Sequence, residues 1–499
     1  MSWSRAILVL LLATLVGCSS GGSGIASVPS SPWPRFRHDT AHTGAGIGRV
    51  GGTRTTPLAI AVDAEAPLSP VVASPVLGID GSAYVLSTAG TLAAITNKGE
   101  VRWRTQTCEI CPQESRSIGT TFSSPTVHAP PSGPAVVYFG SDSGRVFGFE
   151  DRQDRAVCTL CFDATRQGAG FAVVRFLAPP TLFTHVATGK VTQILAPAAV
   201  RRTPSGTEEG LLFSLSTSGD LLWTYPRTAG YPSPFVTAVA FGVGSTAFVG
   251  SADGWLHAVN VLLGGEPAWR AFVGPFTDLD TPVSLAPITS STAVFAYSTT
   301  GRVVAFSPTS GAVLWQRDLS STPIAASLAL GIQASAIEVP TATAGPEPSA
   351  TPTSGVSPTP TLLGDASFTP SFTPSPTSTP TPTPTATPLT LASSLFGLSK
   401  DGRFFVLDAR DGNDVPTSDV QEAIDGEVLS SPALSLDAYL VFGSSQGSLY
   451  AIHNSSGLSA WPPISLAPGV PLRSSPAIAS DGTIWIGADN GYVYRVGGQ

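Results

Sequence analysis

SPVLGIDGSAYVLSTAGTLAAITNKGEVRW, residues 74–103, is the stretch from which the architecture follows. It holds four short apolar runs, Ser74–Gly78, Ala83–Leu86, Thr91–Ile95 and Val101–Trp103, and each break between runs carries Gly, Asp or Asn. Gly90 stands in the middle break, where a tight hairpin favours a residue with φ > 0. The stretch reads as a four-stranded antiparallel meander, a unit of roughly 40 residues. Such a sheet cannot bury both of its faces alone, so it needs neighbours of its own kind.

Those neighbours are present. The hairpin between second and third strands returns as YFGSDSGRVFGF (Tyr138–Phe149), FVGSADGWLHAV (Phe248–Val259), FAYSTTGRVVAF (Phe295–Phe306) and FGLSKDGRFFVL (Phe396–Leu407). VFGSSQGSLYAI (Val441–Ile452) and WIGADNGYVYRV (Trp485–Val496) follow, and a weaker copy lies around Gly210. That makes eight units. A second landmark keeps one spacing, Gly-x-x-x-Trp, at Gly99/Trp103, Gly219/Trp223, Gly265/Trp269, Gly311/Trp315 and Gly457/Trp461. Five of the nine Trp residues occupy that position, which random placement does not explain.

The chain starts MSWSRAILVLLLATLVGCSSGGSG, one Arg ahead of an apolar run that is too short to span a bilayer and has the layout of a secretory signal. Leu15-Val16-Gly17-Cys18 resembles a bacterial lipobox, which implies residues 1–17 as signal peptide and Cys18 as the acylated first residue. Ser19 after it resembles the sorting signal for the outer membrane. Residues 18–32 are Gly/Ser/Pro-rich and read as a tether. Only 12% of residues are charged and 42% are hydrophobic, while 51 Gly and 45 Pro suit many turns. A net charge of −8 gives no attraction to nucleic acid or anionic lipid.

The segment Trp33-Pro34-Arg35-Phe36-Arg37-His38-Asp39 to Gly44, followed by repeats of SSP, DG, Tyr-Val-Gly-Ser-like strands and Gly-x-x-x-Trp, resembles the PQQ-like β-propeller repeat family. The outer-membrane assembly lipoprotein BamB and the quinoprotein alcohol dehydrogenases share that fold. The resemblance covers residues 33–333 and 391–499 and implies an all-β, eight-bladed propeller. The last unit contains only three strands before the chain stops, so Thr56–Val62 is expected to supply its fourth and close the ring. The third unit is the least regular, and its Ala196–Thr207 region is expected to form a hairpin loop. Residues 334–390 are Pro/Thr/Ser-rich and nearly uncharged, a composition expected to remain disordered as an insertion in blade six.

Four further cysteines form two C-x-x-C pairs, Cys108/Cys111 and Cys158/Cys161. In an exported chain these read first as disulfides. An extended C-x-x-C separates its Cα atoms by roughly 10 Å, beyond the reach of a disulfide, so bridges between adjacent units are expected. Three pairings are open, and zinc on four thiolates is the other reading. The quinoprotein resemblance would imply pyrroloquinoline quinone over Ca²⁺ with a vicinal disulfide, yet no adjacent cysteines exist here. His38-x-x-x-His42 has metal-ligand spacing only on a helix, and Thr40, Thr43 and Gly44 argue for a loop. The remaining histidines, 128, 185, 257 and 453, are dispersed.

Together these features point to a monomeric, lipid-anchored, non-enzymatic scaffold without cofactor, facing the periplasm or the cell exterior. By resemblance it would serve outer-membrane protein assembly through a protein partner such as the assembly barrel, with no role for nucleic acid. The alternatives are a PQQ-dependent dehydrogenase and a surface adhesin or carbohydrate-binding propeller.

Overall fold

A computed structural model describes residues 33–497 apart from residue 40, 53–55, 66, 131–132, 168–169, 185–189, 228–229, 243, 277–285, 320–323, 325, 333–392 and 418–422. Cys18, the signal peptide, the tether and the 334–390 insertion therefore lie outside the described residues. The chain divides into two units, Met1–Ala334 with Ala392–Gln499, and Ser335–Leu391. Every described strand belongs to the first unit.

Eight antiparallel sheets form an eight-bladed β-propeller, each blade a meander running from the axis outward. Blade one consists of Val76–Leu77, Ala83–Leu86, Leu92–Ile95 and Val101–Thr105. Its middle strands are buried on both sides, as stacking between flanking blades requires. Blade eight holds Ala477–Ile478, Ile484–Gly487 and Tyr492–Val496, and its fourth strand is Pro57–Ala61. Pro57 pairs with Val496 and Ala61 with Tyr492. The two chain ends thus share one sheet, the closure expected from the missing strand.

Two corrections concern blade three. Its second strand, Val191–Arg201, runs through the first half of the stretch expected to be a loop, and only the part beyond Arg201 turns. Pro197 misled because a proline cannot donate to a ladder. Here it falls in a gap: Thr181–Thr184 pairs the strand up to Leu195 and Val173–Arg175 resumes at Ala199. Gly210 is not a hairpin glycine either. It lies inside the strand Glu209–Leu215, and a Cβ there would sit 2.5 Å from the Ser233 carbonyl oxygen. Blade six keeps three strands, Ala329–Ile332, Ser393–Leu398 and Phe404–Asp408, with its fourth reduced to a bridge between Leu407 and Asp414.

Two sets of contacts join blade to blade. The Gly-x-x-x-Trp landmark is one of them, and its logic runs between units. Trp223 lies against Gly265 of the next blade, Trp269 against Gly311 and Trp315 against Gly412, with a Cβ at each glycine meeting the indole at 2.5–2.6 Å. Trp269 and Trp315 also donate their indole N–H to the carbonyls of Pro308 and Ala409 in the same receiving turns. Where the preceding blade lacks this Trp, Leu160 meets Gly219 and Leu58 meets Gly99.

The second set circles the axis. Ser327, Ser431, Ser475, Ser74 and Ser124 stand at matched positions before their inner strands. Each hydroxyl accepts the backbone N–H of the preceding blade, Ala286→Ser327, Ser327→Ser431, Ser431→Ser475, Ser475→Ser74 and Ser74→Ser124, at 2.9–3.2 Å. The first serine of each SSP works within its own blade, as Gly443 N–H donates to Ser430 and Gly487 N–H to Ser474. Replacing Ser475 by Ala orphans a buried N–H, so chemical denaturation should show a loss of ~1–3 kcal/mol. Ser475→Thr, which keeps the acceptor, should lose less than the alanine variant.

Candidate functional site

The axis of a propeller is where eight inner strands present their unpaired edges, and an unpaired buried N–H is costly. Here the chain fills that space itself. Trp33 makes an antiparallel bridge with Leu77 and Ala45 a parallel one with Leu434, so residues 33–50 rise into the channel and return through the same face. Along the way five carbonyls, of Trp33, Pro34, Ala41, Thr43 and Gly44, accept the N–H groups of Leu77, Val127, Thr289, Leu330 and Leu434 at 2.7–2.9 Å. These donors belong to blades one, two, five, six and seven. Gly48 packs on blade eight so closely that a Cβ would lie 1.9 Å from the Ala479 oxygen. Phe36 clusters with Ala238 and Ala286, the two blades where the axial serine is replaced by alanine.

A charged knot lies inside this hairpin. Arg37, 2% exposed, donates from Nη1 to the Pro432 carbonyl at 2.6 Å and from Nη2 to the Leu328 carbonyl, tying blades six and seven together. Burial pulls its guanidinium down to about 10, against the opposing pull of Tyr297 and Asp39, so it stays charged at neutral pH. Burial alone would raise the Asp39 carboxyl. The His38 ring beside it and the hydrogen bonds from Thr43 outweigh it and hold the group below the usual carboxylate range. Thr43 supplies its N–H at 3.0 Å and its hydroxyl at 2.6 Å. His42 is pressed down to about 4 by burial, with Arg37 and Arg35 adding to the shift and Asp39 opposing it. His38 and His42 sit on turns with positive φ, not on a helix, and their rings lie against Trp33 and Phe36.

The four paired cysteines meet between blades one and two. Cys108 is bonded to Cys158 and Cys111 to Cys161, with Cα separations of 5.2 and 5.6 Å. Every thiol of the two C-x-x-C pairs is thereby consumed, which leaves none for zinc. The same joint holds Asp151, which accepts from Trp103 Nε1 at 2.9 Å and Tyr84 OH at 2.6 Å and pairs with Arg102. Sequence reasoning missed Asp151, and only its Asp-x-x-Asp-Arg turn hints at it. Among the Gly-x-x-x-Trp positions, Trp461 is buried and its indole nitrogen has no partner among the described residues.

On the opposite face, where the second-to-third hairpins lie, an open cleft of about 440 Å³ crosses the closure seam. Pro70, Thr88, Phe122, Arg473 and Asp489 line it, and Arg473 pairs with Asp489 at 2.8 Å.

Residues 170–339 match the family described as outer membrane protein assembly factor BamB. Within those residues the repeats are similar to the PQQ-like propeller type. No curated protein matches the chain. Among solved structures, BamB from Moraxella catarrhalis is similar at 14% identity and a TM-score of 0.51, covering 89% of this chain and 99% of its own. The computationally designed Ika8 protein gives 13% and 0.52, over 89% and 100%. Quinohemoprotein alcohol dehydrogenase from Comamonas testosteroni gives 12% and 0.59, over 93% and 80%. At these identities the likeness concerns the fold.

The axial residues do not fit a quinone held over Ca²⁺. That ion needs several carboxylate or carbonyl oxygens, whereas the hairpin's carbonyls are spent on the inner strands and both Asp39 oxygens are engaged by Thr43.

His42 and His257 both sit near 4 in the folded chain, His257 because it is buried beside Tyr225 and Ser251. Their unfolded value is near 6.5. A depressed histidine contributes stability that is complete above 6.5 and is lost as pH falls toward 4, up to roughly 3 kcal/mol each. Denaturation midpoints should therefore drop between pH 6.5 and 4, and His257→Gln should flatten the slope.

Proposed function

We propose that the protein is a lipid-anchored, non-enzymatic β-propeller scaffold for protein–protein contacts at the bacterial outer membrane, serving outer-membrane protein assembly as BamB does. Residues 1–17 act as the signal peptide and Cys18 carries the acyl chains. The observation that carries this reading is the self-filled axis. The place where this architecture could cradle a small molecule is taken by Trp33–Val50, so recognition is left to the rims. The open cleft at the closure seam, part apolar and part charged, offers a surface for a partner's loop. The matched BamB family supports the assembly role by analogy of fold.

Affinity purification from cross-linked cells tests the role. Recovery of assembly-barrel components is expected, and their absence from the cross-linked complexes would contradict it. The enzymatic rival is tested by incubating the purified chain with PQQ and Ca²⁺. Neither a quinone absorption band nor dye-linked alcohol oxidation is expected, and either one would overturn the scaffold.

A further inference from the structure

The two faces of the ring differ in kind. First-to-second and third-to-fourth turns lie on the face through which the axial hairpin enters and leaves, termed the lower face. Six exposed bulky apolar side chains sit there on turns: Ile47, Ile79, Leu262, Leu263, Leu436 and Leu458, each 51–69% exposed. Five more lie at the leading ends of the fourth strands of blades three, five and eight, where those strands leave the lower face. Among the described residues only two exposed large hydrophobics, Ile110 and Phe272, lie elsewhere. Isolated apolar side chains on a surface need no explanation, but a one-sided distribution does.

The direction of the chain says what this face meets. Trp33 runs antiparallel to the inner strand at Leu77, so its N-terminal side faces the lower face. Fourteen residues, 19–32, separate Trp33 from Cys18, and they cannot stretch beyond roughly 50 Å. We infer that the lower face rests on the lipid surface, with Ile47, Ile79 and Leu436 entering the headgroup region, and that the upper hairpins and seam cleft point away toward partners. This rests on the Cys18 anchor proposed above. With a net charge of −8 the chain gains no electrostatic attraction to anionic lipid, so the contact is apolar and is sustained by the local concentration the anchor imposes.

The test uses the full acylated chain in phosphatidylethanolamine/phosphatidylglycerol vesicles. The paired cysteines are consumed in disulfides, so single fluorophores can be placed through Ile79→Cys and Leu436→Cys below, and Ala89→Cys and Thr300→Cys above. Brominated lipid should quench the lower labels several-fold more than the upper ones. Adding Ile79→Asp to the Leu436 label should reduce its quenching while the chain stays vesicle-bound. Equal quenching on both faces, or stronger quenching above, would overturn the inference. So would lower labels shielded without vesicles until residues 333–392 are deleted, or shielded only by added assembly barrel. Mass spectrometry of the Cys18 peptide tests the anchor separately. Should Cys18 prove unacylated, the anchor reading fails, and a chain held at its N-terminus by a chelating lipid still decides which face contacts the bilayer.

Discussion

Eight sheets arranged about an axis leave eight inner edges facing one another across a channel, and those edges must find hydrogen-bond partners. The protein meets this constraint with residues of its own chain that precede the blades. Five carbonyls of residues 33–44 accept inner-strand N–H groups from five blades, and the segment then passes outward to become the fourth strand of blade eight. Filling the axis and closing the ring are therefore one event in the chain. The glycines at 44 and 48 permit it, since a side chain at either would strike the Arg37 guanidinium or the Ala479 carbonyl.

Around that axis the blades are joined at two radii by different chemistry. Near the axis, hydroxyls of successive serines accept N–H groups from the blade before, a directional bond that fixes blade spacing. Further out, indoles lie on the glycines of the following blade, a close approach that buries apolar area and excludes water. The serine run is interrupted at blades three to five, and in blades four and five Ala238 and Ala286 leave room for Phe36. The plug and the belt thus fit one another. Between blades one and two, the two disulfides and the Asp151 cluster reinforce one joint covalently and electrostatically.

Much of this was legible in the sequence. Strand count, ring closure by residues 56–62 and the looped setting of His38 and His42 followed from apolar runs, a missing strand and turn residues. The Gly-x-x-x-Trp spacing was visible, but its purpose was not. Gly265, Gly311 and Gly412 each receive the indole of the unit before, and a contact between units leaves no mark within one. Pro197 hid a strand because its tolerated position depends on a gap in a neighbouring edge, a fact of tertiary pairing. Arg37 read as part of a motif, while the two carbonyls it serves lie 291 and 395 residues away. The pairing of the cysteines was open for the same reason.

The axis is thus filled by the chain itself, while the rims stay open. Amide hydrogen exchange measures the central claim most directly. The N–H groups of Leu77, Val127, Thr289, Leu330 and Leu434 should exchange only with global unfolding, as slowly as the middle strands of the blades. Exchange of those five amides at the rate of exposed turns would mean that the axial segment does not occupy the channel, contradicting the self-filled axis.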